Sequence, residues 1–149
     1  MSCVVFELEP TVLPFKLPVV LRPYQREGLN WLNFLRRFGM NGILADDMGL
    51  GKTLQTLLIL ASALERKKEE GPRSIIVAPS TLVAHWEHEI GRYLPKNLVR
   101  TLAYVGQTKD RPGLRPRISS CNCLITSTDD LRKESDWLQS LSFQYCVLD

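Results

Sequence analysis

The chain has 149 residues, 44% hydrophobic and 23% charged, which is enough apolar material for one domain with its own core. A net charge of +3 and a pI near 8.7 are too modest for bulk attraction to nucleic acid, so any such contact has to come from a local patch. No apolar run approaches the roughly 18 residues needed to cross a bilayer, so a membrane is not an expected partner, and the acidic, proline-punctuated start does not read as a secretory leader.

Residues 1–20 carry Pro10, Pro14 and Pro18 and read as an extended lead-in. Pro23 suits the first turn of a helix. Trp31, Phe34, Leu35 and Phe38 then recur at i, i+3, i+4 and i+7, the stripe of an amphipathic helix ending near Gly39. Gly42 to Ala45 is expected as a short buried strand. Leu54, Leu57, Leu58, Ala61 and Leu64 keep helical spacing, with Arg66, Lys67 and Lys68 in the last turn and a polar loop from Glu69 to Arg73. Ser74 to Ala78 is a core strand stopped by Pro79, and Leu82, Trp86, Ile90 and Tyr93 mark the next helix, with Ser80 or Thr81 as its cap. Val99, Thr101, Ala103 and Val105 alternate as a strand does. A loop from Gly106 to Arg117 carries Lys109, Arg111, Arg115 and Arg117, and solvation or contact with DNA are both open to it. Leu124 to Thr126 is another strand, followed by a short helix capped by Thr128 or Asp129, and Tyr145 to Leu148 is the last strand.

Strands that are nearly continuously apolar and alternate with helices indicate an α/β fold, a mainly parallel sheet covered by helices on both faces. Ligands of such sheets sit at the carboxyl ends of the strands. The glycine loop, Pro79-Ser80-Thr81, Thr126-Ser127-Thr128 and Asp149 are all expected at that edge. Cys121-x-Cys123 with His85 or His88 is the nearest approach to a zinc set, but its spacing is irregular, and reduced thiols in a nuclear or cytosolic protein are the simpler reading of the four cysteines.

Gly49-Leu50-Gly51-Lys52-Thr53 stands between an apolar run and a helical pattern, the order that a triphosphate requires. Glycines let backbone N–H groups close on phosphate oxygens, and the helix start adds unpaired donors and a positive dipole end. Lys52 reaches the outer phosphates, and the Thr53 hydroxyl suits Mg²⁺. Asp46 stands where the strict phosphate-loop pattern has its first glycine. An ordinary glycine-rich turn before a helix is the plain alternative.

Several stretches together resemble the Swi/Snf-type remodelling ATPases, a branch of the superfamily-two helicases. Leu21-Arg22-Pro23-Tyr24-Gln25, with Gly28 and Trp31, is similar to that family's entry motif. Ala45 through Thr56 is similar to its phosphate loop, which lacks the first glycine. Ile75 to Thr81 with Trp86 resembles one DNA-contact motif, and Leu124 to Thr128 resembles a second. Val147-Leu148-Asp149 resembles the start of the Asp-Glu-x-His box. Asp46-Asp47 before Met48, His85-Trp86 and Tyr145 to Asp149 look most like the branch that removes TATA-binding protein from promoter DNA.

The resemblance implies a partial RecA-like P-loop domain over residues 21–149, the first part of the first lobe, ending within the acidic box. It implies ATP and Mg²⁺ as cofactors. Gln25 is expected to read the adenine edge, and Asp47, Met48, Gly49, Leu50, Gly51, Lys52, Thr53 and Leu54 to cradle the nucleotide. Lys52 and Asp149 are the catalytic candidates, Thr53 and Asp149 the metal candidates. Ser80, Thr81, Ser127 and Thr128 are expected to touch phosphates of double-stranded DNA, where base identity is not read. Trp31 and Trp86 sit at core spacing and read as packing. The box's glutamate and a second lobe with an arginine finger are missing from this sequence, so hydrolysis by it alone is expected to be negligible. The function the resemblance implies is that of a nuclear DNA-dependent translocating ATPase that remodels protein–DNA complexes, with TATA-binding protein as the expected cargo; nucleosome remodelling, a non-catalytic interaction module and a small-molecule kinase or GTPase are the alternatives.

Overall fold

The computed structural model describes residues 8–64 and 72–149, and the expected basic last turn and most of the polar loop after it lie outside them. Residues 8–22 have no regular structure, but Leu13, Phe15 and Leu17 lay alternate side chains on the core. Thr11 N–H donates to Asn30 Oδ1 (2.8 Å), pinning this stretch to the first helix.

Helix α1 runs Pro23–Arg37 and α2 runs Lys52–Leu64. Proline at the first position of α1 has the helical φ and no N–H to leave unpaired. Gln25 supplies the missing cap, its amide oxygen accepting from Arg22 N–H (3.0 Å). The two helices pack closely, since a Cβ at Gly28 would run into Oε1 of the fully buried Gln55.

Strand β1 (Ser74–Ala78) is followed by a 3-10 turn at Ser80–Leu82, α3 (Val83–Tyr93) and β2 (Thr101–Tyr104). A 3-10 segment, Arg111–Ser120, leads to β3 (Cys123–Ser127), α4 (Thr128–Lys133), α5 (Ser135–Gln139) and β4 (Tyr145–Leu148). All pairings are parallel, in the order β2-β3-β1-β4. Ser74 pairs with Cys123 on one side and with Tyr145 on the other, so β1 and β3 are central. Their runs Ile75-Ile76-Val77 and Cys123-Leu124-Ile125 are buried throughout, as strands covered on both faces must be.

The period of two sends side chains to two separate cores. Ile76, Ala78, Cys123 and Ile125 pack with Leu57, Leu58 and Ala61 of α2 and with Trp86 and Ile90 of α3. Ile75, Val77, Leu102, Tyr104 and Leu124 pack on the other face with Leu138 of α5 and with Leu114, Ile118, Trp137 and Phe143. Burial raises the thiols of Cys121 and Cys123 to about 11 and about 12, so both behave as small apolar side chains. The α/β expectation, a parallel sheet with helices on both faces, is what the structure has.

Four local expectations are corrected. Gly42 to Ala45 forms no strand: Ile43 is 87% exposed, and no described strand lies beside this segment to complete a ladder. Neither Ser80 nor Thr81 caps α3 through its side chain; the backbone closes that turn by Leu82 N–H donating to the Pro79 carbonyl (2.8 Å). The cap of α4 is Ser127, not Thr128 or Asp129, with its hydroxyl accepting from Asp130 N–H (3.0 Å). The Gly106–Arg117 loop is in large part the 3-10 segment, and Arg111 is only 1% exposed.

Candidate functional site

Two glycines shape the loop before α2. Gly49 (φ +84°) and Gly51 (φ +80°) both take the left-handed region that disfavours a side chain. A Cβ on Gly49 would meet nothing within 4 Å, so its outer side is open. A Cβ on Gly51 would lie 2.5 Å from Nε2 of Gln25, which closes the inner side. Helical bonding begins with Gln55 N–H to the Gly51 carbonyl (3.1 Å), leaving N–H groups of Lys52, Thr53 and Leu54 without an intrahelical acceptor. Those donors and the helix dipole favour an anion at this end.

Lys52 folds its ammonium back onto the loop, donating to the carbonyls of Asp46 (2.7 Å) and Asp47 (2.9 Å). Met48 stands 95% exposed at the loop tip, while Leu54 turns its side chain into the core and offers the site only its backbone. Gln25 donates from Nε2 to the Leu50 carbonyl (3.1 Å), so α1 is stitched to the phosphate-type loop. One N–H and one oxygen lone pair of that amide remain for a further partner. These features fit an ATP phosphate chain: open backbone donors, an exposed cation bonded to carbonyl oxygens, and, among the described residues, no acidic side chain turned onto Lys52.

The parallel register brings the other candidates to one edge. Ala78 pairs with Ser127, so the Ser80–Thr81 turn and Thr128 stand on neighbouring strand ends. Asp149 N–H donates to the Val77 carbonyl (2.9 Å), which puts Asp149 on the opposite flank of that turn from Thr128. Ser80, Thr81, Thr128 and Asp149 are exposed. Ser127 is buried, its hydroxyl donating to Asp130 Oδ2 (2.8 Å) while capping α4. Its direct role is therefore to hold the turn that presents Thr128.

Two groups escape a reading of spacing. Trp86 is 3% exposed and packs in the core as expected, yet its indole N–H also donates to Asp149 Oδ2 (2.8 Å). Arg111 is buried beneath the Thr128 turn, bonded to Asp130 Oδ1 (2.5 Å), Glu134 Oε1 (3.2 Å) and the Gly106 carbonyl (2.8 Å). Arg115 completes the cluster, bonding Glu134 Oε2 (2.8 Å) and stacking on Trp137. Burial pushes the Glu134 carboxyl up, but hydrogen bonds from Arg115 and Arg111 and their charges outweigh it and hold it below its ordinary value. Asp130 and Glu134, spaced i, i+4, are the one sequence signal that an arginine belonged between them.

Comparison with known proteins places this geometry. Residues 24–149 match the SNF2-related domain. The chain belongs to that family. This SNF2-related domain is 51% identical over 139 residues to the TATA-binding protein-associated factor BTAF1 of Arabidopsis thaliana, covering 90% of the chain and 7% of the relative. It is 41% identical to TATA-binding protein-associated factor MOT1 of Saccharomyces cerevisiae, covering 91% of the chain and 8% of the relative. A chromatin-remodelling ATPase, INO80 of Cryptococcus neoformans, is 38% identical over a similar share, 91% of the chain and 8% of that protein. The chain thus spans less than a tenth of these relatives' length. Among solved structures it is similar to the Sulfolobus solfataricus SWI2/SNF2 ATPase core in complex with double-stranded DNA. That match has a TM-score of 0.69 at 25% identity, over 96% of this chain and 34% of that one. The SNF2-related domain therefore has the RecA-like architecture of a SWI2/SNF2 ATPase core, and its family is one of helicase-like ATPases.

Proposed function

We propose that this chain is the nucleotide-binding part of the first RecA-like lobe, residues 21–149, of a nuclear DNA-dependent translocating ATPase that removes TATA-binding protein from DNA. The observation that carries the nucleotide half is the loop: two left-handed glycines, an open outer side, and Lys52 bonded to the neutral carbonyls of Asp46 and Asp47. A phosphate anion competes well for that ammonium, because a charge-assisted bond is roughly twice as strong as one to a neutral acceptor. Gln25 contacts adenine with its remaining donor and acceptor. Asp47 through Leu54 wrap the phosphates, and Thr53 and Asp149 hold Mg²⁺, which neutralises phosphate charge when bound.

The DNA half is supported by exposed Ser80, Thr81 and Thr128 on adjacent strand ends, hydroxyls suited to a phosphate backbone. The choice of TATA-binding protein as cargo rests on the relatives named for it, with identities from 36% in Homo sapiens to 51% in Arabidopsis thaliana. Nucleosome remodelling, the second reading, is favoured by the INO80 relative.

Isothermal titration tests the nucleotide half. ATP with Mg²⁺ binds the chain weakly, and Lys52→Ala removes at least about 2 kcal/mol of that affinity, the lower range for truncating one partner of a charge-assisted contact. Equal affinity of the two proteins refutes the phosphate-loop assignment.

A further inference from the structure

Trp86 is buried within α3 among residues of the larger core, where packing fixes its ring. A buried indole needs a partner for its N–H. Here the partner is Oδ2 of Asp149, an exposed carboxylate at the carboxyl end of β4. Asp149 is also tied through its own N–H to Val77 on the neighbouring strand. The carboxylate is thereby held at backbone and at one oxygen, with the other oxygen left for a further contact. A core residue that needed only to fill space could be phenylalanine or leucine; the N–H is what sets this one apart.

We propose that Trp86 is a positioning residue, which fixes the Asp149 carboxylate through Oδ2 so that its other oxygen would stay available to the Mg²⁺ of a bound nucleotide. The proposal rests on the metal role given to Asp149 above. Partners that orient a metal-binding carboxylate act through the direction of its lone pairs, and losing one commonly weakens metal affinity 10- to 100-fold. Trp86 also lies on α3, which directly follows the Ser80–Leu82 turn, so the helix that holds the Asp149 carboxylate continues from the turn that carries candidate DNA contacts.

The experiment compares ATP affinity with Mg²⁺ and with EDTA in the wild-type chain, Trp86→Phe and Asp149→Asn. Trp86→Phe keeps an aromatic, apolar side chain in the core, though a smaller one, and removes the N–H. It is expected to leave affinity in EDTA unchanged and to cut the Mg²⁺-dependent gain by about tenfold; Asp149→Asn abolishes the gain. A gain preserved in Trp86→Phe but lost in Asp149→Asn overturns the positioning role alone. A gain preserved in both, or absent from the wild type, overturns the positioning role and the metal assignment together. Should Trp86→Phe fail to fold, ¹⁵N-labelled indole signals of the wild type decide, with Trp31→Phe and Trp137→Phe assigning the other two. The Trp86 signal should shift on adding ATP with Mg²⁺ and stay put with ATP and EDTA, and Asp149→Asn should erase that shift. A Trp86 signal indifferent to Mg²⁺-ATP overturns the proposal, since a ring that only packs has no reason to sense the metal.

Discussion

At the scale of single residues, the two loop glycines are not equivalent. Both hold φ near +80°, a conformation that costs a residue with a side chain about 1–2 kcal/mol. Only Gly51 also lacks room, because Gln25 Nε2 occupies the position its Cβ would take. Gly49→Ala is therefore expected to lose about 1 kcal/mol, and Gly51→Ala at least another 1 kcal/mol from the collision. In the Gly51→Ala, Gln25→Ala double variant the collision disappears while the backbone strain stays, so the two losses are less than additive. Urea unfolding of the wild type, Gly49→Ala, Gly51→Ala, Gln25→Ala and the double variant measures this, and additive losses, or equal losses at the two glycines, would count against this packing. The importance of this loop was legible from the sequence, since glycine, lysine and threonine in that order have a chemical rationale. The stitch from Gln25 to Leu50 was not, because nothing in spacing tells that an amide 25 positions earlier folds onto the loop.

At the scale of elements, the short helices α4 and α5 hold through charge as well as apolar burial. Arg111 joins the 3-10 segment to Asp130 and Glu134, so removing it strips the buried Asp130 of its cation and leaves Glu134 to the half-exposed Arg115. Breaking such a buried pair from one side costs about 3–5 kcal/mol. The pH dependence has a definite sign. Glu134 is held below its ordinary value in the folded chain, so its contribution is complete above the ordinary carboxyl range and fades as pH falls through the lowered folded value. Glu134→Gln should therefore be less stable than wild type at pH 7, and the gap between their thermal midpoints should narrow steadily on acidification below about pH 4.5. A gap that is constant or widens in acid contradicts this account. Helices α1, α2 and α3 were legible because their apolar stripes repeat over three turns or more. Arg111 read as one cation in a basic loop, since burial of a charge depends on partners 19 and 23 positions away. The Gly42–Ala45 run reads as a strand by composition, yet a strand exists only where a neighbour accepts its ladder, and spacing carries no information on neighbours.

At the scale of the whole molecule, the sheet has a guarded centre and an open flank. Among the described residues β4 pairs with β1 alone, and Leu148 on it is 76% exposed. An unpaired strand edge beside exposed apolar side chains invites association between copies. Sedimentation velocity should show concentration-dependent self-association that Leu148→Lys suppresses; identical profiles for the two chains would remove β4 as the contact. The strand order has a further consequence in time. β1 is central, yet both of its neighbours are made later, with Cys123 and Tyr145 as partners of Ser74. As the chain is synthesised, Ile75, Ile76 and Val77 emerge about 50 residues before the first strand that can pair with them, a wait on the order of 2 to 10 seconds. The most apolar strand of the molecule is thus the one that has to be sheltered longest, and α2, already complete at that moment, is the neighbour available to cover it.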